Sequence, residues 1–196
     1  MLLKKSKRKA YSRFVKFLIV FLIFCIIANF CSCKVKNINK IYSLVIENAE
    51  VYSIEADLLL SIINTESSFN EKAISNKGAC GLMQLMPSTA IFIAEKHGYS
   101  GVIDLFDPKC NLDLACKYLL YLKEKFQTLE LVLCAYNAGE RRVREWLSNS
   151  LYSKDGLTLN EIPFKETKEY LQKVISGRKF FKAYLKSKGY YEKGKE

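Results

Sequence analysis

Glu66 is the residue from which chemistry can start. It closes an almost wholly apolar segment, EADLLLSIINTE, and a polar, turn-rich stretch follows it. A carboxyl at the end of such a segment is drawn partly out of water, which favours its neutral form and raises its pKa. A neutral carboxylic acid at working pH can protonate a leaving-group oxygen, the task of a general acid. The bland alternative is a solvated helix-end glutamate, and nothing in Glu66 alone excludes it. Other chemistries are thin. His97 is the sole histidine, so a histidine-rich metal site is ruled out and any histidine-dependent nucleophile would have to use it. No CxxC pair is present, which argues against zinc.

The elements around Glu66 read as helices. Apolar residues at Ile38, Ile41, Leu44, Val45 and Ala49 predict an amphipathic helix over Asn37–Ser53. A second, central helix is expected from Glu55 to Glu66, and a loop over SSFNEKAISNKGACG. Pro87 opens a third helix that stops near His97-Gly98. Asp107-Pro108 signals the start of a long fourth helix. Thr128 starts a fifth through LVLCAYN, and Ala138–Leu147 forms a sixth. Pro163 precedes a last helix over Lys165–Ser187. No alternating β-branched run is long enough for a strand. The expectation is one all-α globule of about seven helices. Three prolines and nine glycines in 196 residues fit that better than a many-turned sandwich.

Charge and cysteines concern compartment. The formal net charge is +11, but residues 1–33 hold seven lysines and arginines and no acid, leaving +4 for the rest. The remainder is only mildly basic and carries no nucleic-acid motif, so no nucleic-acid partner is expected. A basic cluster followed by FLIVFLIFCIIA at 17–28 has the form of an export signal or membrane anchor. Cleavage, a retained anchor, and lipidation at Cys31 or Cys33 all stay open. The expected division is 1–33 as leader, 34–190 as the folded domain, and 191–196 as a charged tail. Cys80, Cys110, Cys116 and Cys134 could form two disulfides in an exported domain. They read instead as half-buried thiols, because Cys80 and Cys134 sit inside apolar or motif segments.

Five strings then occur in order: ESSFN, GACGLMQLMPSTA, LFDPKCNLDLACKYL, AYNAGE and IPFKETKEYLQKV. Together they resemble the catalytic domain of lytic transglycosylases of the soluble-lytic-transglycosylase type, a lysozyme-like fold related to goose-type lysozyme. The resemblance runs from about Ile41 to Ala183. It implies that Glu66 is the single catalytic acid and base, and that Ser75 lies near the N-acetylmuramyl residue. Gln84 and Met86 would line the sugar cleft. Tyr136 and Asn137 would hold the catalytic region and substrate, and Glu166 and Tyr170 would line the cleft from the last helix. Cys80 departs from the pattern, standing where a small Ser or Ala is expected.

The resemblance implies cleavage of the β-1,4 bond between N-acetylmuramic acid and N-acetylglucosamine. Glu66 gives its proton to the glycosidic oxygen, then takes one from the muramyl C6 hydroxyl, which closes a 1,6-anhydro ring. No metal or cofactor is called for. A two-carboxylate glycosidase needs a second acid, and the sequence offers no good one. Two rivals are a goose-type hydrolase on the same fold and a non-catalytic peptidoglycan-binding module. The implied setting is the bacterial envelope. Glycan strands of peptidoglycan are the partner, the N-terminal segment is the membrane contact, and an envelope-machinery protein is a further conceivable partner.

Overall fold

A computed structural model describes residues 38–191. The chain divides into Met1–Ile41 and Tyr42–Glu196. The expected signal or anchor at 1–33 lies outside the described residues, as does the charged tail apart from Tyr191. Among the described residues no helix is long and apolar enough to cross a membrane.

Helix α1 covers residues 38–52. It is followed by α2 (Ala56–Ser67), α3 (Pro87–Lys96), α4 (Pro108–Lys125), α5 (Leu129–Ala138), α6 (Glu140–Leu147) and α7 (Lys165–Ser187). The starts follow local chemistry. Pro87 and Pro108 occupy first-turn positions where a missing N–H costs nothing. The Asp107 carboxylate accepts the Cys110 N–H at 2.8 Å, and the Thr128 hydroxyl accepts the Leu131 N–H at 3.3 Å. The α5–α6 boundary differs from expectation, beyond one-residue shifts at the ends of α1 and α2. Helix α5 continues to Ala138, and Gly139, at φ 94°, separates it from α6, which begins at Glu140 rather than Ala138. That positive φ suits glycine because a residue with a side chain is strained there, although the space around it is open.

Helix α2 is apolar nearly all round and accordingly lies in the core. Leu58, Leu59, Leu60, Ile62 and Ile63 are all buried. It packs against α7 in antiparallel register, fixed by three pairs. Arg178 Nε donates to the buried Asp57 carboxylate at 3.0 Å. Ser61 Oγ donates to the Val174 carbonyl at 2.6 Å. Gly177 makes the close approach feasible, since a Cβ there would stand 2.5 Å from Ser61 Oγ. Continuing the register brings Tyr170 beside Glu66 at the far end.

The expected loop after α2 is present and is more closely organised than a polar spacer. Antiparallel bridges join Ile74 to Cys80 and Cys80 to Leu85, although no strand occurs among the described residues. Ser68, Phe69 and Gln84 have φ of 50°, 64° and 48°. Such left-handed conformations cost energy for residues with a side chain, so the loop must be held from outside. The four cysteines of the domain are free thiols, with Cys110, Cys116 and Cys134 buried and only Cys80 half-buried.

Candidate active site

The site forms where the end of α2, the 68–86 loop, the end of α5 and the start of α7 meet. Its centre is Glu66. Withdrawal from water, first, and the negative charge of Glu166, second, raise the Glu66 carboxyl from 4.5 to about 7, while the Tyr170 hydroxyl opposes the shift. Tyr170 is buried, and its hydroxyl makes no hydrogen bond of full geometry. It lies near enough to Glu66 to favour the charged carboxylate, yet an acceptor for its proton is still missing. A buried unsatisfied hydroxyl is costly, and a polar ligand atom at Glu66 would relieve it. Both Tyr136 and Tyr170 are pushed well above the usual phenol range, by burial and then by the charge on Glu66.

The loop is held on two sides. Tyr136, on α5, donates its hydroxyl to the Met83 carbonyl at 2.8 Å. Asn111, on α4 and wholly buried, holds it from the other side. Its Oδ1 accepts the Met83 N–H at 2.8 Å, and its Nδ2 donates to the carbonyls of Cys80 at 2.9 Å and Leu105 at 3.0 Å. Gly81 lies under this clamp. A Cβ there would come within 2.0 Å of the Leu105 carbonyl oxygen and 2.4 Å of Asn111 Nδ2.

Each residue singled out in the sequence has a place. Ser75 Oγ accepts the N–H groups of Lys77 and Ala79 at 3.3 and 3.0 Å, which closes a tight turn in the loop. Gln84 Nε2 donates to the carbonyls of Ala73 and Gly81 at 3.1 and 2.9 Å, so its amide braces the loop. Met86 caps α3 and is 39% exposed, leaving part of its flexible apolar side chain open to contact. Asn137 Oδ1 accepts the hydroxyl of the buried Thr167 at 2.8 Å, tying α5 to the first turn of α7. Glu166 is exposed and pairs with Lys77 Nζ at 3.1 Å, joining the loop to α7.

Glu66, Tyr136 and Tyr170 are therefore brought together, with the charge of Glu166 reaching Glu66. Ser75 and Gln84 support the loop by backbone contacts. Sequence reasoning found no second carboxylate for Glu66, whereas the fold brings the influence of Glu166 to it. It also gave no role to Asn111, Lys77 or Thr167. Asn111 had a legible signal, a lone carboxamide directly before the apolar run of α4. The Lys77–Glu166 pair spans 89 residues and leaves no local pattern.

The transglycosylase SLT domain matches this chain over residues 43–157. The soluble lytic murein transglycosylase of Escherichia coli K12 is 37% identical over 134 residues, which cover 66% of this chain and 21% of that protein. The membrane-bound lytic murein transglycosylase C of Pectobacterium atrosepticum is 32% identical over 171 residues, covering 75% of this chain and 48% of that one. An inactive glutamate-to-glutamine mutant of lytic transglycosylase Slt from Pseudomonas aeruginosa has a similar structure, with TM-score 0.63 and 30% identity over 74% of this chain and 24% of that one. A 70-kDa soluble lytic transglycosylase in complex with bulgecin A superposes with TM-score 0.64 and 29% identity, over 73% and 24% of the respective chains. The chain thus spans about a fifth of the length of the soluble relatives it matches.

Proposed function

This chain belongs to the transglycosylase SLT domain family, and from that membership we propose that it is a peptidoglycan lytic transglycosylase. Its substrate is the β-1,4 bond between N-acetylmuramic acid and N-acetylglucosamine, and its products carry 1,6-anhydromuramyl ends. The observation that carries the reading is Glu66, raised to about 7 beside the half-buried Tyr136 and the buried Tyr170.

A carboxyl with that value is protonated in a large fraction of molecules at neutral pH, so it can act first as acid. Glu66 protonates the glycosidic oxygen as the bond to muramyl C1 breaks. The substrate's 2-acetamido group stabilises the positive charge that develops at C1. The Glu66 carboxylate left behind then accepts the proton of the muramyl C6 hydroxyl as that oxygen bonds to C1. Atoms and protons balance with one carboxylate and no water. Tyr170 supports the carboxylate stage, because its hydroxyl favours the charged form of Glu66. Glu166 supports the acid stage by repulsion. Met86 offers an apolar face to a sugar ring or N-acetyl methyl. Tyr136 and Asn137 position the loop and the start of α7.

Inactivity of a glutamate-to-glutamine mutant of the Pseudomonas aeruginosa relative supports placing one glutamate at the centre. We assign residues 34–190 to the catalytic domain and 1–33 to an export signal or membrane anchor, with the domain outside the cytoplasmic membrane. The membrane-bound naming of the Pectobacterium atrosepticum relative supports an envelope location. The test is incubation of the chain and its Glu66→Gln variant with purified sacculi. Release of soluble muropeptides by the native chain alone is expected. Equal release by a folded Glu66→Gln variant would overturn the assignment.

A further inference from the structure

Helix α7 changes character along its length. Its first turn mixes Glu166 and Glu169 with Lys165 and Lys168, whereas residues 171–188 carry Lys173, Arg178, Lys179, Lys182, Lys186 and Lys188 and no acid. Arg178 is committed inward, to Asp57 at 3.0 Å and Glu55 at 3.3 Å. The five lysines are all exposed. Other acids near this end are few. Glu50 lines the groove between α1 and the end of α7, and Glu71 lies two residues past Phe69, whose ring meets Phe181. Glu47, also on α1, lines a separate cavity with Tyr52 and Asp113. In the sequence beyond Tyr191, Glu192 and Glu196 are matched by Lys193 and Lys195. The excess charge at this end is therefore positive.

The same end shows aromatic rings to solvent. Phe180 is 67% exposed, Tyr184 36% and Tyr191 39%. They are the outer members of a packed cluster. Phe180 meets Phe181 at 5.3 Å, and Phe181 meets Phe69 at 6.0 Å. Tyr42, on α1, meets both Phe69 at 5.7 Å and Tyr184 at 5.5 Å. Lys188 Nζ lies 5.7 Å from the centre of the Tyr184 ring. Tyr184 stands about 21 Å along the helix axis from Tyr170, the residue beside Glu66.

Exposed rings among lysines match the boundary of a lipid bilayer, where aromatic side chains sit at headgroup depth and cations meet anionic phosphates. A soluble polyanion would use the lysines and leave the rings in water. Chain length adds a second argument. Tyr42, part of the cluster, lies nine residues after Cys33, the last residue of the expected leader. Nine residues reach at most about 30 Å when fully extended, so a leader held in a membrane keeps this cluster within that distance of it. We propose that the Phe180–Tyr184 end of α7 is a docking face for an anionic lipid bilayer. Phe180 and Tyr184 enter the headgroup layer, and Lys179, Lys182 and Lys186 engage lipid phosphates. The inference rests on the proposed placing of residues 1–33 and is independent of the chemistry at Glu66.

A reporter on the face separates its contact with lipid from any contact made by the leader. The full chain carrying Phe180→Trp is mixed with vesicles of phosphatidylcholine and phosphatidylglycerol whose acyl chains are brominated, and tryptophan quenching is followed. The native Trp146 is buried and sets the background. Quenching well above that background is expected, and Val102→Trp, at a position 89% exposed on the loop before α4, should show none. Adding Lys179→Glu, Lys182→Glu and Lys186→Glu should raise the anionic lipid needed for equal quenching by roughly tenfold or more. High salt should act in the same direction. These side chains are exposed, and circular dichroism checks that each variant is folded. Phe180→Trp quenched no more than Val102→Trp would overturn the proposal. Equal quenching by pure phosphatidylcholine vesicles would overturn the role of the lysines. A response to soluble polyphosphate without one to vesicles would make the face a polyanion site instead. Flotation of the native chain with pure phosphatidylcholine vesicles reads the leader on its own. Muropeptide release from sacculi, where no membrane is present, should be the same for the native chain and the lysine variant, so a failure of the Glu66 reading shows there and not in the quenching.

Discussion

The Asn111 carboxamide accepts the Met83 N–H at 2.8 Å while the Tyr136 hydroxyl donates to the Met83 carbonyl at the same distance. One peptide-bearing residue is thereby gripped from α4 and from α5. The grip explains how a loop with three non-glycine residues at positive φ keeps a single shape beside Glu66.

Asn111→Leu removes three hydrogen bonds to backbone groups in a buried place. Met83 N–H and the carbonyls of Cys80 and Leu105 would lose their partner together. A loss of roughly 3 kcal/mol in stability is expected, since each unsatisfied buried group costs about 1–3 kcal/mol and such effects do not simply add. Urea unfolding measures it. A change below about 0.5 kcal/mol would mean the carboxamide does not hold the loop.

Gly81→Ala places a methyl against the Leu105 carbonyl and the Asn111 side chain at a φ of 77°. Backbone oxygen cannot swing away as a flexible side chain can. The variant should lose on the order of 3 kcal/mol and most of its muropeptide release. A stable, fully active Gly81→Ala would contradict the packing described here.

Much of the scaffold was legible in the sequence. The bounds of α7 match expectation, because Pro163 and the amphipathic run after it are local signals. The start of α4 follows from Asp107 and Pro108 for the same reason. The break between α5 and α6 was expected between Asn137 and Ala138 and falls at Gly139, because the positive φ that sets it leaves no periodic signal. The α2–α7 register was not legible. It depends on Ser61 fitting against Gly177 across more than a hundred residues, and neither residue leaves a periodic trace. The same holds for Asn111 and for the Lys77–Glu166 pair. Cys110, Cys116 and Cys134 proved more buried than expected, since helix packing, not spacing, decides how deep a thiol sits.

Tyr136→Phe removes only the hydroxyl that reaches Met83. Stability should fall by about 1 kcal/mol. Muropeptide release should fall much further, by about tenfold or more, because Met83 in the loop beside Glu66 loses one of the two side chains that grip it. Parallel unfolding and initial-rate measurements compare the two. Equal proportional losses would make Tyr136 a packing residue without a positioning role.

Glu66 holds its proton up to about 7 in the folded chain, against 4.5 ordinarily. The folded state therefore binds more protons than the unfolded state between these values, and stability falls as pH rises through that window. The cost is absent below the lower value and complete above the upper one. Glu66→Gln should thus be more stable than the native chain by on the order of 3 kcal/mol above about pH 8, and equally stable near about pH 4. Thermal or urea unfolding across that range gives the curve. Parallel curves for the two proteins would mean that Glu66 is solvated. For the native chain, kcat/KM should decline above about pH 7 as the acid form is lost.

The most direct test of the central claim is the mass of the products. Purified sacculi are digested with the native chain, and the soluble muropeptides are analysed before and after borohydride treatment. Anhydromuramyl products are one water lighter than hydrolytic ones and resist reduction, and the account predicts that these dominate. Products that are reducible and carry the mass of hydrolysis would contradict it. They would make Glu166 the candidate second carboxylate of a lysozyme-like hydrolase.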